Sequence, residues 1–384
     1  MTAYLDHAAS TPMRPEALEA MLPFLAEHPG NPSGGHAAAR AAKTALEEAR
    51  EAIAECCGAA PDEVVITGGG SEADNLAVKG AAWAARAADP ALDGVVTTGI
   101  EHKAVLGAAN RLATEGFRVS EVPGTGAGTV DLDRLAAALD ERTAVVSVML
   151  VNNETGIVQP LAEVAALVHE RAPRAVLHTD AVQAPQWLDL RPATAPADLV
   201  ALSGHKFGGP KGAGVLVVRG GVPLVPLVEG GGHEHGLRAG TQDVAGVVAL
   251  ASALATTDRQ RAEEGARISA LRDRLAVGLA AAVPDLTVNG DPERRVAGLL
   301  HVAVPGVEAE VLLMALDRAG VAAAAGSACS SGAIDPSHVL VAMGLPRERA
   351  LASVRFSLGW ASTAADVDAA LAVVPGAVER LRAA

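Results

Sequence analysis

Among the 384 residues only five are lysines, so a search for an amine that could form an imine with a carbonyl group is short. Lys206 stands apart from the rest. It follows an apolar run and the step Ser203-Gly204-His205, and it precedes the glycine-rich turn Phe207 to Gly212. Backbone can approach a ligand closely at such a turn, and a desolvated, electrostatically crowded lysine gives up its proton more readily. Judged on spacing alone, a surface lysine in a turn fits as well. Lys43 and Lys79 fall in amphipathic helical stretches, where solvation is the plain reading.

Cys329 offers a different chemistry. It sits in Ala324 to Ala333, a run of small residues with two glycines, as expected of a mobile loop that leaves a thiol approachable. Cys56 and Cys57 close the helical stretch Ala45 to Glu55 and read as buried packing. Three cysteines cannot all pair within one chain, and neighbours rarely bridge without strain, so no disulfide framework is expected.

Gly68-Gly69-Gly70-Ser71-Glu72 lies between a strand and a helix expected over 73–85. Free backbone N–H groups and a hydroxyl there could cradle a phosphate, although a plain tight turn has the same composition. Asp180 follows Val176-Leu177-His178 and could hold a buried ring nitrogen in its protonated form, or could simply cap a helix. Gln183 would lie beside it if a helix begins there. His233-Glu234-His235 could chelate an ion, but no further Cys/His set of recognisable spacing accompanies it, and no metal site is expected.

The elements that must position these groups are readable from periodicity. Val64 to Thr67, Gly94 to Thr97, Ala144 to Val148, Ala175 to His178 and Asp198 to Leu202 are β-branched runs alternating with Ala-rich helical stretches. That alternation predicts an α/β fold with a mostly parallel, helix-covered sheet. Each run is followed at once by polar or glycine residues, which places the unusual chemistry beyond the carboxyl ends of the strands.

The chain exceeds the usual span of one core, so two domains are expected: a large one over 14–256, and a smaller α/β unit from 1–13 and 257–384 that begins with a helix from Asp258 to Leu279. Half the residues are hydrophobic but 2% are aromatic, which implies a core of Ala, Val and Leu. A formal net charge of −14 and the lack of any Lys/Arg-rich run argue against direct nucleic-acid binding. The N-terminal residues do not resemble a signal peptide, and apolar stretches such as Val244 to Ala255 fall short of the roughly 20 residues of a membrane span. A cytoplasmic protein is expected.

Taken in chain order, several segments together are specific: Tyr4-Leu5-Asp6-His7-Ala8-Ala9-Ser10-Thr11-Pro12, Gly30-Asn31-Pro32-Ser33, Glu101-His102-Lys103, Val151-Asn152-Asn153-Glu154-Thr155-Gly156, Ser203-Gly204-His205-Lys206, Arg238-Ala239-Gly240-Thr241, Gly326-Ser327-Ala328-Cys329 and Val354-Arg355-Phe356-Ser357. This set resembles the cysteine desulfurases, class V aminotransferase-like enzymes of pyridoxal phosphate (PLP) fold type I. The resemblance implies a seven-stranded-type large sheet with a smaller α/β domain. It places PLP on Lys206, His102 over the ring, Asp180 at the ring nitrogen and Gln183 at the ring hydroxyl. It assigns the phosphate to Ser71, Ser203 and His205 with the Gly70 N–H, and to Thr241 reaching across from the partner of a homodimer. Asn153 and Arg355 would hold the carboxylate of L-cysteine, a task that suits a planar guanidinium fork.

The implied reaction converts L-cysteine to L-alanine. The Lys206 amine takes the Cα proton, Cys329 attacks the substrate sulfur, and His102 is a proton carrier. A persulfide is left on Cys329 for a sulfur-acceptor protein or a small thiol. The Cys329 context resembles the group with a longer, mobile cysteine loop; the Arg-x-Gly-x-His-Cys context of the other group is absent. Two departures stand out: His235 where members often carry arginine, and Ala239 where they often carry serine. The chain also ends at Ala384, without the longer tail that some members use to dock an iron–sulfur scaffold, so iron–sulfur clusters, tRNA, DNA and thio-cofactors all stay open as destinations for the sulfur. Two rival readings differ in their demands. Another PLP activity on this fold needs no thiol at 329, and a non-catalytic scaffold would not need Lys206, Asp180, His102 and Cys329 together.

Overall fold

Strands covered by helices on both faces must be apolar at nearly every position, because alternate side chains enter two different cores. The computed structural model describes residues 3–326 and 335–383, and β1 (Ala3–Tyr4) stands apart from its main sheet. That sheet comprises β2 (Val64–Thr67), β3 (Gly94–Thr98), β4 (Arg118–Val122), β5 (Thr143–Ser147), β6 (Val176–Asp180), β7 (Leu199–Ser203) and β8 (Gly214–Val218). Its order is β2-β8-β7-β6-β5-β3-β4, with β8 antiparallel to both neighbours and β3 to β7 mutually parallel. Val64 and Ile66 enter one core and Val65 the other; Val200 and Leu202 oppose Leu199 and Ala201 in the same way.

All five expected strands form, with small shifts at their ends. Two more were not foreseen. β4 is an edge strand with mostly exposed side chains, so it lacks the apolar run, and its Arg118 and Glu121 protect an edge that could otherwise pair with another chain. β8 is fully buried, five residues long like most strands of its sheet, and enclosed by glycine-rich turns.

Helix α1 (Pro15–Ala26) and the longer α2 (Ala37–Cys57) lie against the large core. The buried stripe Ala39, Ala42, Leu46, Ala49 and Ile53 has the spacing of a helix face, and α2 stops at Gly58, whose φ of 61° suits a left-handed cap. Helix α3 (Gly70–Asn75) runs through a wider turn at Leu76–Gly80 into a helix over Ala81–Ala88, so the helix expected over 73–85 starts directly at the glycine turn.

The second core is built around β12 (Ser353–Ser357), β10 (Leu299–Ala303) and β9 (Thr287–Val288), an antiparallel sheet in that order, while β1 pairs in parallel with β11 (Val321–Ala322). Ala3 and Leu5 pack into this core. The helix expected from Asp258 is the latter part of one 39-residue helix, Val244–Ala282. Its first half buries Val247, Leu250 and Leu254 in the large core, and its second half buries Ile268, Leu275 and Leu279 in the second. Among the described residues no helix is long and apolar enough to cross a membrane.

Candidate active site

Because β2, β3, β5, β6 and β7 point the same way, their carboxyl ends share one edge, and a cavity of about 760 Å³ opens there. Ser203 closes β7, and a single tight turn then presents His205 and Lys206. The Lys206 amine donates to the carbonyls of Ala8 and Ala9 at 2.7 and 2.8 Å. Burial pushes this amine down to about 8, helped by the Arg355 charge and opposed by Asp180 and Asp6.

Asp180 ends β6 and is buried. Its Oδ1 accepts from the Val182 N–H at 2.9 Å, within a turn rather than a helix, so the helix-cap reading fails. Burial raises its carboxyl, while His102, the Val182 N–H and Lys206 pull it back towards the ionised form. Gln183 lines the cavity as expected but stands on that same turn, donating to the Ala8 carbonyl at 2.9 Å. His102 caps the helix Lys103–Thr114, its Nδ1 accepting from Ala104 at 3.2 Å. Burial lowers its proton affinity more than Asp180 restores it, which favours the neutral ring.

A phosphate fits where the glycine turn lines the cavity. Gly69 has a φ of 140°, and a Cβ at Gly70 would stand 2.8 Å from Val182 Cγ2, so the backbone approaches a space only glycine permits. Glu72 does not spoil the cradle, because its carboxylate is occupied by the Gly68 N–H at 2.8 Å and by Arg238 at 3.0 Å. The first N–H groups of α3, the Ser71 and Ser203 hydroxyls and His205 remain to face the anion. His205 is held by Ser10 Oγ at 3.2 Å and is pushed down to about 4 by burial and by Lys206 and Lys211.

Asn152 and Asn153 divide their work. Asn152 is spent on structure, its Oδ1 accepting from the N–H groups of Glu154 and Thr155 at 3.0 and 2.9 Å, whereas Asn153 lines the cavity and its buried Oδ1 has no partner. Arg355 bonds the Asn153 carbonyl at 2.8 Å and Asp6 Oδ1 at 2.7 Å, and its buried Nε lacks an acceptor. The spare Arg355 Nε–H suits a carboxylate, which the Asn153 amide could meet only through its NH2 end.

Of the expected residues, Thr241 is exposed and does not line this cavity, and Cys329 lies outside the described residues. Four groups in or behind the cavity were assigned no role from sequence. Asp6 pairs with Arg355, and Glu154 lies beneath the residues that lead to Cys329. Asp74 is buried with Oδ1 unpaired, and its carboxyl is raised well above the usual range by burial, Asp180 and Glu101. Glu101, behind the cavity, is pushed up to about 8, chiefly by burial. Ligand atoms of Asp74, His102 and Asp180 lie within 4.8 Å of one another, so an ion could sit there, but only where the ring nitrogen reading already uses two of the three. Glu234 of the His-Glu-His step is committed to Arg50 at 2.9 and 3.1 Å. Cys56 and Cys57 are buried, free thiols pushed up to about 11 and about 12 by that burial.

The aminotransferase class-V family pattern matches residues 3–370. An IscS-like cysteine desulfurase of Mycobacterium tuberculosis is 46% identical over 386 aligned residues, covering 100% of this chain and 98% of the relative. A solved NifS-like protein superposes with a TM-score of 0.92 at 33% identity, covering 99% of this chain and 100% of that one. A solved structure titled SspA in complex with cysteine gives 0.80 at 31% identity, covering 94% and 100%.

Proposed function

Because the chain belongs to the class-V aminotransferase family and is a PLP-dependent cysteine desulfurase, we propose that Lys206 carries the cofactor and that Cys329 takes the sulfur. The observation that carries this assignment is one cavity holding a lysine amine pushed down to about 8, a buried carboxylate at Asp180 and an Arg355 guanidinium with a spare N–H. Bound PLP supplies an electron sink that makes a Cα proton acidic.

The chain's own groups do the rest. Asp180, buried at the end of β6, would keep a ring nitrogen protonated. Ser71, Ser203, His205 and the Gly70 N–H would hold the phosphate; Thr241, exposed and outside the lining of its own cavity, would reach the phosphate of a partner in a homodimer. Asn153 and Arg355 hold the L-cysteine carboxylate, and that grip orients Cα towards the Lys206 amine, which removes and returns protons. His102, neutral at the rim, passes a proton to or from the substrate sulfur. The sulfur then leaves carbon for Cys329: a C–S bond breaks, an S–S bond forms, the former thiol carbon gains a proton, and alanine departs. In the cytoplasm, the persulfide passes to a sulfur-acceptor protein.

Purified protein supplied with PLP and L-cysteine plus a reductant tests the assignment. Alanine and sulfide should form in near-equal amounts with a visible cofactor absorbance, and Cys329→Ser should abolish both products while keeping the absorbance. Undiminished products from Cys329→Ser would remove the thiol from the mechanism.

A further inference from the structure

Residues 327–334, which include Cys329, are bounded by two described flanks, and both flanks meet one buried side chain. On the leading flank, a Cβ at Gly326 would stand 1.9 Å from Glu154 Oε2, so Gly326 packs directly on that carboxyl. On the trailing flank, the Ser337 hydroxyl donates to the same Oε2 atom. Glu154 is 1% exposed, and it directly follows Asn153 in the chain. The leading flank is fastened once more, by backbone hydrogen bonds between Ala324 and Arg355 at 2.6 and 3.1 Å. The trailing flank is fastened by His338, whose Nε2 lies 2.9 Å from the Glu101 carbonyl, immediately before His102.

We infer that Glu154 is a positioning residue that gathers both flanks of the Cys329 segment and sets them against the substrate-holding pair Asn153 and Arg355. The inference rests on the assignment of Cys329 as sulfur acceptor. Its logic is geometric: sulfur transfer requires the thiol to reach the substrate sulfur in line, and a carboxyl touching both stems fixes where the intervening residues start and end. A glycine at 326 is required because any side chain would displace that carboxyl. Burial pushes the Glu154 carboxyl up to about 7, against the Ser337 hydroxyl, Arg355 and Lys103. A neutral acceptor of the same shape keeps the bond from the Ser337 hydroxyl.

The test separates positioning from binding. Glu154→Ala should lower kcat for alanine formation by about 10- to 100-fold while KM for L-cysteine stays within about twofold, the signature of misplaced reacting groups. Glu154→Gln, which keeps an oxygen for the Ser337 hydroxyl, should recover most of that loss. Gly326→Ala, which keeps residue 154 as glutamate but displaces its carboxyl, should reproduce the kcat loss. An unchanged kcat in Glu154→Ala, a loss confined to KM, or a Gln variant no better than Ala would each overturn the inference. Should Glu154→Ala fail to fold, Gly326→Ala and Ser337→Ala decide it, and parental kcat in both refutes it. Cys329→Ser in the parent keeps the two levels apart: alanine and sulfide persisting there would undo the underlying assignment whatever the Glu154 variants do.

Discussion

Asp180, Ser203 and Lys206 stand at or just beyond the ends of neighbouring parallel strands, whereas Arg355, Asp6 and Glu154 meet from distant parts of the chain, Asp6 and Arg355 being 349 positions apart. The floor of the cavity is positioned by a sheet buried on both faces. Its rim is positioned by side-chain bonds between segments of two cores. Rigid backbone tolerates little adjustment, so damage to the floor should be close to all-or-none, and damage to the rim should be graded, falling on substrate binding at Arg355 and on the placing of the thiol segment at Glu154.

Lys206→Ala should break the floor most completely. With no amine to carry the cofactor or move the Cα proton, alanine formation should drop by about 10⁴-fold, on the scale of losing a general base together with its covalent partner. A discontinuous alanine assay with spectra of the PLP-treated protein checks it, and loss of less than tenfold would shift the amine's role elsewhere.

The same lysine sharpens the comparison through pH. Only the neutral amine attacks a carbonyl, and its folded value of about 8 lies below that of an ordinary lysine. Half the amine is neutral at that value and the neutral fraction approaches a tenfold fall per pH unit below it, so PLP uptake by cofactor-free protein should slow about 50-fold from pH 8 to pH 6 and level off above pH 8. A rate that keeps climbing to pH 10 would show that the cavity does not depress this amine.

On the rim, Arg355→Lys keeps the charge but loses the fork that binds Asp6 and the Asn153 carbonyl. KM for L-cysteine should rise about 30-fold, roughly the ~2 kcal/mol of a charge-assisted hydrogen bond, with kcat changing much less. A kcat effect as large as that of Lys206→Ala would erase the distinction between floor and rim.

The smallest effect concerns an acid behind the floor that does no chemistry. Glu101 stays protonated in the folded protein up to about pH 8, while the unfolded carboxyl ionises near its ordinary value. The folded state therefore binds the extra proton, and stability is lost as pH climbs between those two values. Glu101→Gln carries no such proton and should lose less stability than the parent from pH 5 to pH 9, by about 1 kcal/mol or more in denaturant titrations. Parallel curves would mean that Glu101 is ionised when folded.

How much was legible in advance follows the same division. Lys206, Asp180 and Ser203 could be read because each stands within four residues of the end of an apolar run, and sequence adjacency places them at or just beyond a strand end. Asp6, Asp74 and Glu154 carried no local signal for a role, since what matters about each is a partner remote in the chain or a burial that hydropathy does not report for a single acid. Asn152 and Asn153 look alike as text; the turn that consumes the first and leaves the second facing the cavity is a matter of backbone direction. The helix from Asp258 was visible only in part, because Val244 to Ala255 is apolar on every side and shows no amphipathic period.

That helix also limits how the protein could be recombined. At 1.5 Å per residue its 39 residues span about 58 Å, and its two halves supply walls to two separate cores. No loop marks a crossover point there. A chimera taking either core from another member of the family must be spliced inside a helix, and a truncation ending near 256 strips the second core of Ile268, Leu275 and Leu279. The module that can be inherited or exchanged is therefore the whole length of the chain, and neither half alone.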